Sequence, residues 1–138
     1  MITADQLLCH AVGDYILQSD WMATEKTKRS VAAFVHVVTY GLPFLFLRPS
    51  WQAMAVIVGT HFIIDRWRLA RYVVWAKNFI GPWERVSVSV YRSSNPTWDE
   101  CKGTGYPPDR PAWLAVWLLI IADNIMHVVI NGIALKYL

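Results

Sequence analysis

Long apolar runs make up most of the chain, and polar residues interrupt them at helical intervals. The pattern predicts four helices. The first covers about Thr3 to Met22, with His10, Asp14 and Gln18 inside an otherwise apolar stretch. The second covers about Ser30 to Leu47 and is closed by Arg48-Pro49-Ser50. Pro43 within it predicts a kink or an early helix end, because proline lacks the N–H that the helix needs. The third starts near Trp51 and is apolar through Ile64. It then turns basic and aromatic (Arg66, Trp67, Arg68, Arg71, Tyr72, Trp75, Lys77), as suits a helix leaving a bilayer at the headgroups. The fourth covers about Pro111 to Tyr137, with Pro111 near its first turn. Crossing a bilayer takes roughly 20 mostly apolar residues. The second, third and fourth segments approach that length; the first, with its polar interruptions, would span poorly alone.

Between the third and fourth helices lies a long polar connection, Asn78 to Arg110. Gly81-Pro82, Asn95-Pro96, Gly103, Gly105 and Pro107-Pro108 are turn signals within it. Strict alternation from Arg85 to Tyr91 predicts a short strand or hairpin arm.

Composition sharpens this picture. Of 138 residues, 55% are hydrophobic and 17% charged. Soluble domains average about 45–50% apolar and about 25% charged, so the balance is shifted toward lipid and away from disorder. The length fits one domain. Eight Trp and six Tyr suit interfacial belts. The net charge of +3 is mild, and no nucleic-acid motif accompanies it. Cys9 and Cys101 lack metal-type spacing and are expected to be reduced. With no basic segment followed by an apolar run and a small-residue cleavage site at the start, no removable signal peptide is expected. Lys and Arg concentrate in the first loop (Lys26, Lys28, Arg29) and in the third connection and its flanks. The positive-inside rule then puts those loops in the cytoplasm and both termini outside. The expected architecture is all-α: an integral membrane four-helix bundle spanning 1–138, with residues 78–110 as a polar cytoplasmic loop between helices three and four. The expected location is the bacterial inner membrane.

All four histidines, His10, His36, His61 and His127, fall inside the apolar segments. Three have an aspartate four residues away: His10/Asp14, His61/Asp65 and Asp123/His127. Residues four apart share a helix face, so each pair presents an imidazole and a carboxylate together. The order reverses in the last helix. In an up-down bundle that reversal would bring the three Asp to one depth and the three His to another, roughly one turn (~6 Å) away. His36 could join from the second helix. Ionisable groups in a membrane are costly and should face the interior and satisfy one another. A divalent cation does this well. The seven residues His10, Asp14, His36, His61, Asp65, Asp123 and His127 are the expected ligands of one or two ions, with N and O donors suiting zinc, manganese or iron. A hydrogen-bonded helix-gluing network and a proton or ion path are the competing readings. Gln18 shares a face with Asp14 and is expected either to orient a ligand or to hydrogen-bond a helix end. Arg66 is expected to snorkel to headgroups, or to meet a substrate phosphate. Asn124 is expected to serve helix packing or to support a ligand. No phosphate-cradling glycine loop, nucleophile elbow or Cys-x-x-Cys is present.

The stretch His10-Ala-Val-Gly-Asp14-Tyr-Ile-Leu-Gln18-Ser-Asp20-Trp21-Met22-Ala, followed by a Lys-rich turn, resembles the start of a family of small bacterial and phage membrane proteins catalogued as domain of unknown function 3307. His36, His61-Phe-Ile-Ile-Asp65 and Asp123-Asn-Ile-Met-His127 resemble its other recurring stretches. The His-x-x-x-Asp helices also resemble those of membrane-bound metal-dependent hydrolases. That second resemblance, not the spacing, implies hydrolysis of a lipid-like or phosphoester substrate at the cytoplasmic leaflet. The alternatives are a non-catalytic metal or proton path, and a phage membrane protein that docks a partner protein through residues 78–110. Membrane lipid is the expected partner; nucleic acid is not.

Overall fold

In the computed structural model, the structure describes residues 2–80, 85–86, 91–92 and 97–138. It is all-helical apart from one two-residue ladder. Seven α-helices occur among the described residues: α1 (Ala4–Ala11), α2 (Asp20–Glu25), α3 (Ser30–Gly41), α4 (Trp51–Trp67), α5 (Ala70–Lys77), α6 (Trp98–Cys101) and α7 (Ala112–Tyr137). The chain forms two compact units, 1–68 with 124–138, and 69–123.

In the first unit, side-chain caps set the helix starts. The hydroxyl of Thr3 accepts from Gln6 N, that of Ser19 from Met22 N, and that of Ser50 from Ala53 N. Each satisfies a backbone donor that the first helical turn leaves open. The expected first helix is therefore not one helix. After α1 the backbone widens into a π turn over Val12–Ile16, closed by Leu17 N on Val12 O, and Ser19 opens α2 anew. Pro43 ends α3 early, and the chain continues as a 3-10 turn, Pro43–Leu47. The third segment also breaks. Arg68, left-handed with φ 52°, stops α4, and α5 begins at Ala70. As a result two stretches among the described residues, Ser30–Leu47 and Ala112–Tyr137, are long and apolar enough to cross a membrane; α4, at 17 residues, falls short of the expected third.

Tyr40 and Phe44 from the second segment, Ile57 and Ala53 from α4, Cys9 from α1 and Ala134 from α7 form the buried apolar core of this unit. Beside it the unit buries an unusual polar set: Gln6, His10, His36, His61, Asp65, His127 and Asn131. The exterior is the reverse. On α7, Asn124, His127 and Asn131 share the face whose His127 and Asn131 are buried, while Ile125, Val129 and Ile133 are exposed on the other. On α3, Ala33, His36 and Tyr40 are buried while Val31, Phe34 and Val38 are exposed. A helix of a water-soluble domain shows the opposite polarity.

In the second unit, α5 and α6 meet through rings: Tyr72 stacks on Trp98 at 4.4 Å between centroids, and Trp75 meets the same indole edge-on. Arg71 Nη1 donates to Lys102 O, and Asn78 Nδ2 to Gly105 O. Gly105, at φ 84°, adopts a conformation that L residues avoid, and a Cβ there would lie 2.5 Å from Arg71 O. Arg85–Val86 pairs antiparallel with Tyr91–Arg92. The middle of that alternating run and the turn signals Gly81-Pro82 and Asn95-Pro96 lie outside the described residues.

Candidate metal centre

The polar cluster of the first unit is assembled from four elements. The π turn carries Asp14, α3 carries His36, α4 carries His61 and Asp65, and α7 carries His127. The wide π turn does not follow the ordinary helical register, so Asp14 leaves α1 on its own path. Gly13, next to it, lets the turn approach Tyr40: a Cβ there would stand 2.5 Å from the Tyr40 ring and 3.0 Å from its carbonyl oxygen.

Among the described residues, two groups of side chains could hold a metal ion: Asp14 with His36 and His61, and His61 with Asp65 and His127. Five of the seven expected ligands thus come together. The other two, His10 and Asp123, belong to neither group. His10 is instead hydrogen-bonded on both ring nitrogens, Nδ1 with the Tyr40 hydroxyl at 2.9 Å and Nε2 with Asn124 Oδ1 at 2.8 Å. It still lies 3.4 Å from Asp14 Oδ2. The expected separation into an Asp depth and a His depth is not what forms. Asp14 and Asp65 interleave with the imidazoles, and His127 pairs with Asp65 of α4 at 3.5 Å.

The first group has the dimensions of a three-point ligand set. Asp14 Oδ1 lies 3.3 Å from His36 Nε2 and 3.3 Å from His61 Nε2, and the two Nε2 atoms are 3.0 Å apart. Donors bound to one ion at 2.0–2.2 Å stand about 3.0–3.4 Å from each other. The His36 and His61 rings are inclined at 60°. Asp14 Oδ1 is buried and makes no aligned hydrogen bond, although both nitrogens are near. Such an atom is costly unless something positive meets it. A divalent cation fits this donor set. The second group differs in orientation: the His61 and His127 rings are stacked at 3.9 Å with planes only 20° apart. Imidazole lone pairs lie in the ring plane, so these two rings do not converge on a point within a 2.0–2.1 Å metal bond.

The surroundings include residues that the sequence pattern did not single out. Lys26, expected only as a basic loop residue, sends its ammonium to Asp65 Oδ2 at 2.8 Å and lies 3.4 Å from His36 Nε2. Its position in the segment between two helices, eight residues beyond Gln18, was the available signal. Tyr40, four residues beyond His36 in the same helix, packs against His61 with ring centroids 3.8 Å apart and planes tilted by 34°, and accepts from Asn131 Nδ2 at 2.6 Å. A polar aromatic at that spacing within an apolar run was the clue. Gln18 accepts from Lys26 Nζ at 2.7 Å, so it supports the ammonium. Arg66 donates to Thr27 O and to Ser30 Oγ, and so fastens the loop that carries Lys26. Asn124 accepts from the Tyr15 hydroxyl as well as holding His10.

Comparison with curated proteins and with solved structures found no match. A family model described as "Protein of unknown function (DUF3307)" matches residues 2–87, from α1 through the pairing strand at Arg85–Val86, and so covers Asp14, His36, His61 and Asp65. By that match over more than half its length, the chain belongs to the DUF3307 family.

Proposed function

We propose that this is a membrane-embedded, metal-dependent hydrolase that acts on a lipid-like or phosphoester substrate near the cytoplasmic headgroups. The observation that carries the reading is the triangle of Asp14 Oδ1, His36 Nε2 and His61 Nε2, with sides of 3.0–3.3 Å. Structural zinc sites use four protein ligands, whereas catalytic ones use three and keep a position open. What a divalent ion supplies there is Lewis acidity toward water and toward an ester or phosphoester oxygen. The chain's own residues do the rest. Tyr40 packs on the His61 ring and fixes its plane. Asp65 pairs with Lys26 and His127. The outward apolar faces of α3 and α7 support burial of the unit in hydrocarbon. The contact of Lys26, from the basic first loop, with the cluster supports a centre close to the cytoplasmic end.

Detergent-purified protein loaded in turn with zinc, manganese or iron should cleave phospholipid in mixed micelles, followed by phosphorus NMR. His36→Ala should abolish the turnover. Metal-loaded protein that cleaves no phospholipid under any of the three conditions, yet passes ions across liposomes, would replace hydrolysis with an ion path.

A further inference from the structure

We infer that the centre takes one divalent ion, on Asp14, His36 and His61, and that the ammonium of Lys26 stands where a dinuclear site would place its second cation. The inference rests on the metal-binding reading above and narrows it.

Three observations carry it. The first is ring orientation. His36 and His61 are inclined at 60° with their Nε2 atoms 3.0 Å apart, whereas His61 and His127 are nearly parallel, at 20°. Only the first pair can aim two in-plane lone pairs at one point. The second is the occupancy of Asp65. Its Oδ2 lies 3.2 Å from His36 Nε2 and 3.1 Å from His61 Nε2, beside the Asp14 triangle. It also lies 2.8 Å from Lys26 Nζ, so the ammonium competes with an ion for that oxygen, while Oδ1 faces His127 at 3.5 Å. Asp14 has three imidazoles and, among the described residues, no ammonium within ion-pair distance. The third is charge. Two carboxylates and one ammonium leave the cluster at −1 with neutral imidazoles. One divalent ion brings it to +1 and a second would bring it to +3, an excess that a buried site does not tolerate.

Lys26 is also held in place. Gln18 Oε1 accepts from its ammonium at 2.7 Å, and Arg66 grips the loop through Thr27 O at 2.8 Å and Ser30 Oγ at 3.2 Å. A lysine anchored on both sides and directed at Asp65 acts as a fixed counter-charge. It competes with the ion for Asp65 Oδ2 and lowers the affinity of the centre for its ion by like-charge repulsion. Lys26 is therefore a positioning residue, and removing its charge should tighten metal binding, whereas damage to packing would loosen it.

The test is zinc uptake by the full chain in detergent, with stoichiometry from elemental analysis and affinity from competition with a chelating dye. Wild type should bind one zinc per chain. Lys26→Met and Lys26→Gln should still bind one, at least tenfold more tightly, while Lys26→Arg keeps the wild-type affinity. Two zinc ions per wild-type chain would overturn the single-ion inference and leave metal binding standing. Equal or weaker affinity in both uncharged variants would overturn the role of Lys26. No zinc in wild type would sink the metal reading itself, and this inference with it.

Discussion

At Gly13 a hydrogen in place of a methyl group decides how closely the π turn can approach Tyr40. Gly13→Ala would set a Cβ 2.5 Å from the Tyr40 ring and 3.0 Å from its carbonyl oxygen. The backbone cannot yield as a side-chain tip would, so overpacking should cost about 1–3 kcal/mol. A lower thermal unfolding midpoint in detergent checks this; an unchanged midpoint would show that the turn has room. Tyr40 is the hub of a second residue-scale prediction. Its hydroxyl joins His10 Nδ1 and Asn131 Nδ2, so Tyr40→Phe leaves two buried groups without that partner and should cost about 1–3 kcal/mol, again read from unfolding. The histidines were legible in the sequence because an imidazole inside an apolar run must face something polar. Lys26 was not, since a lysine in a loop ordinarily meets solvent, and only the folded path of residues 18–30 turns it onto Asp65. His10 and Asp123 satisfied the same spacing as the true cluster members. Spacing along one helix says which residues share a face, and it does not say which neighbouring helix that face meets.

Among the elements, those with plain punctuation were read well. Pro43 ends α3 as expected, and α7 begins at Ala112, just after Pro111. The breaks at Ser19 and Arg68 were hidden, because the residues around both continue a pattern that an unbroken helix would also show. At Ser19 the cap hydroxyl makes the difference; at Arg68 the left-handed turn is made by a residue that seldom adopts it. Ser50 caps α4, the helix that delivers His61 and Asp65, by accepting from Ala53 N at 3.0 Å. Ser50→Ala should therefore cost about 1 kcal/mol. Because the cap lies at the far end of α4 from His61, metal content should stay unchanged while the unfolding midpoint falls; loss of metal without loss of stability would contradict this.

At the scale of the molecule, the first unit turns apolar faces of α3 and α7 outward and buries a polar cluster beside its apolar core. The helical class was legible in the spacing of polar residues within apolar runs, whereas composition could not say which helices are long enough to cross a bilayer. Ile125 is 57% exposed on the outer face of α7. In water, Ile125→Asp would be harmless or would improve solubility. In hydrocarbon a central aspartate costs about 2.5–3.5 kcal/mol on insertion scales. The variant should therefore leave the membrane fraction or be degraded, as cell fractionation with quantitative blotting would show. Full recovery of folded variant without detergent would contradict a bilayer-embedded unit.

The central claim is that Asp14, His36 and His61 grip an ion, and anomalous diffraction from zinc-loaded crystals, recorded on both sides of the zinc absorption edge, tests it most directly. The account predicts one strong peak about 2.0–2.2 Å from Asp14 Oδ1, His36 Nε2 and His61 Nε2. A map with no peak among these three atoms, or with its peak on His61, Asp65 and His127, would contradict it.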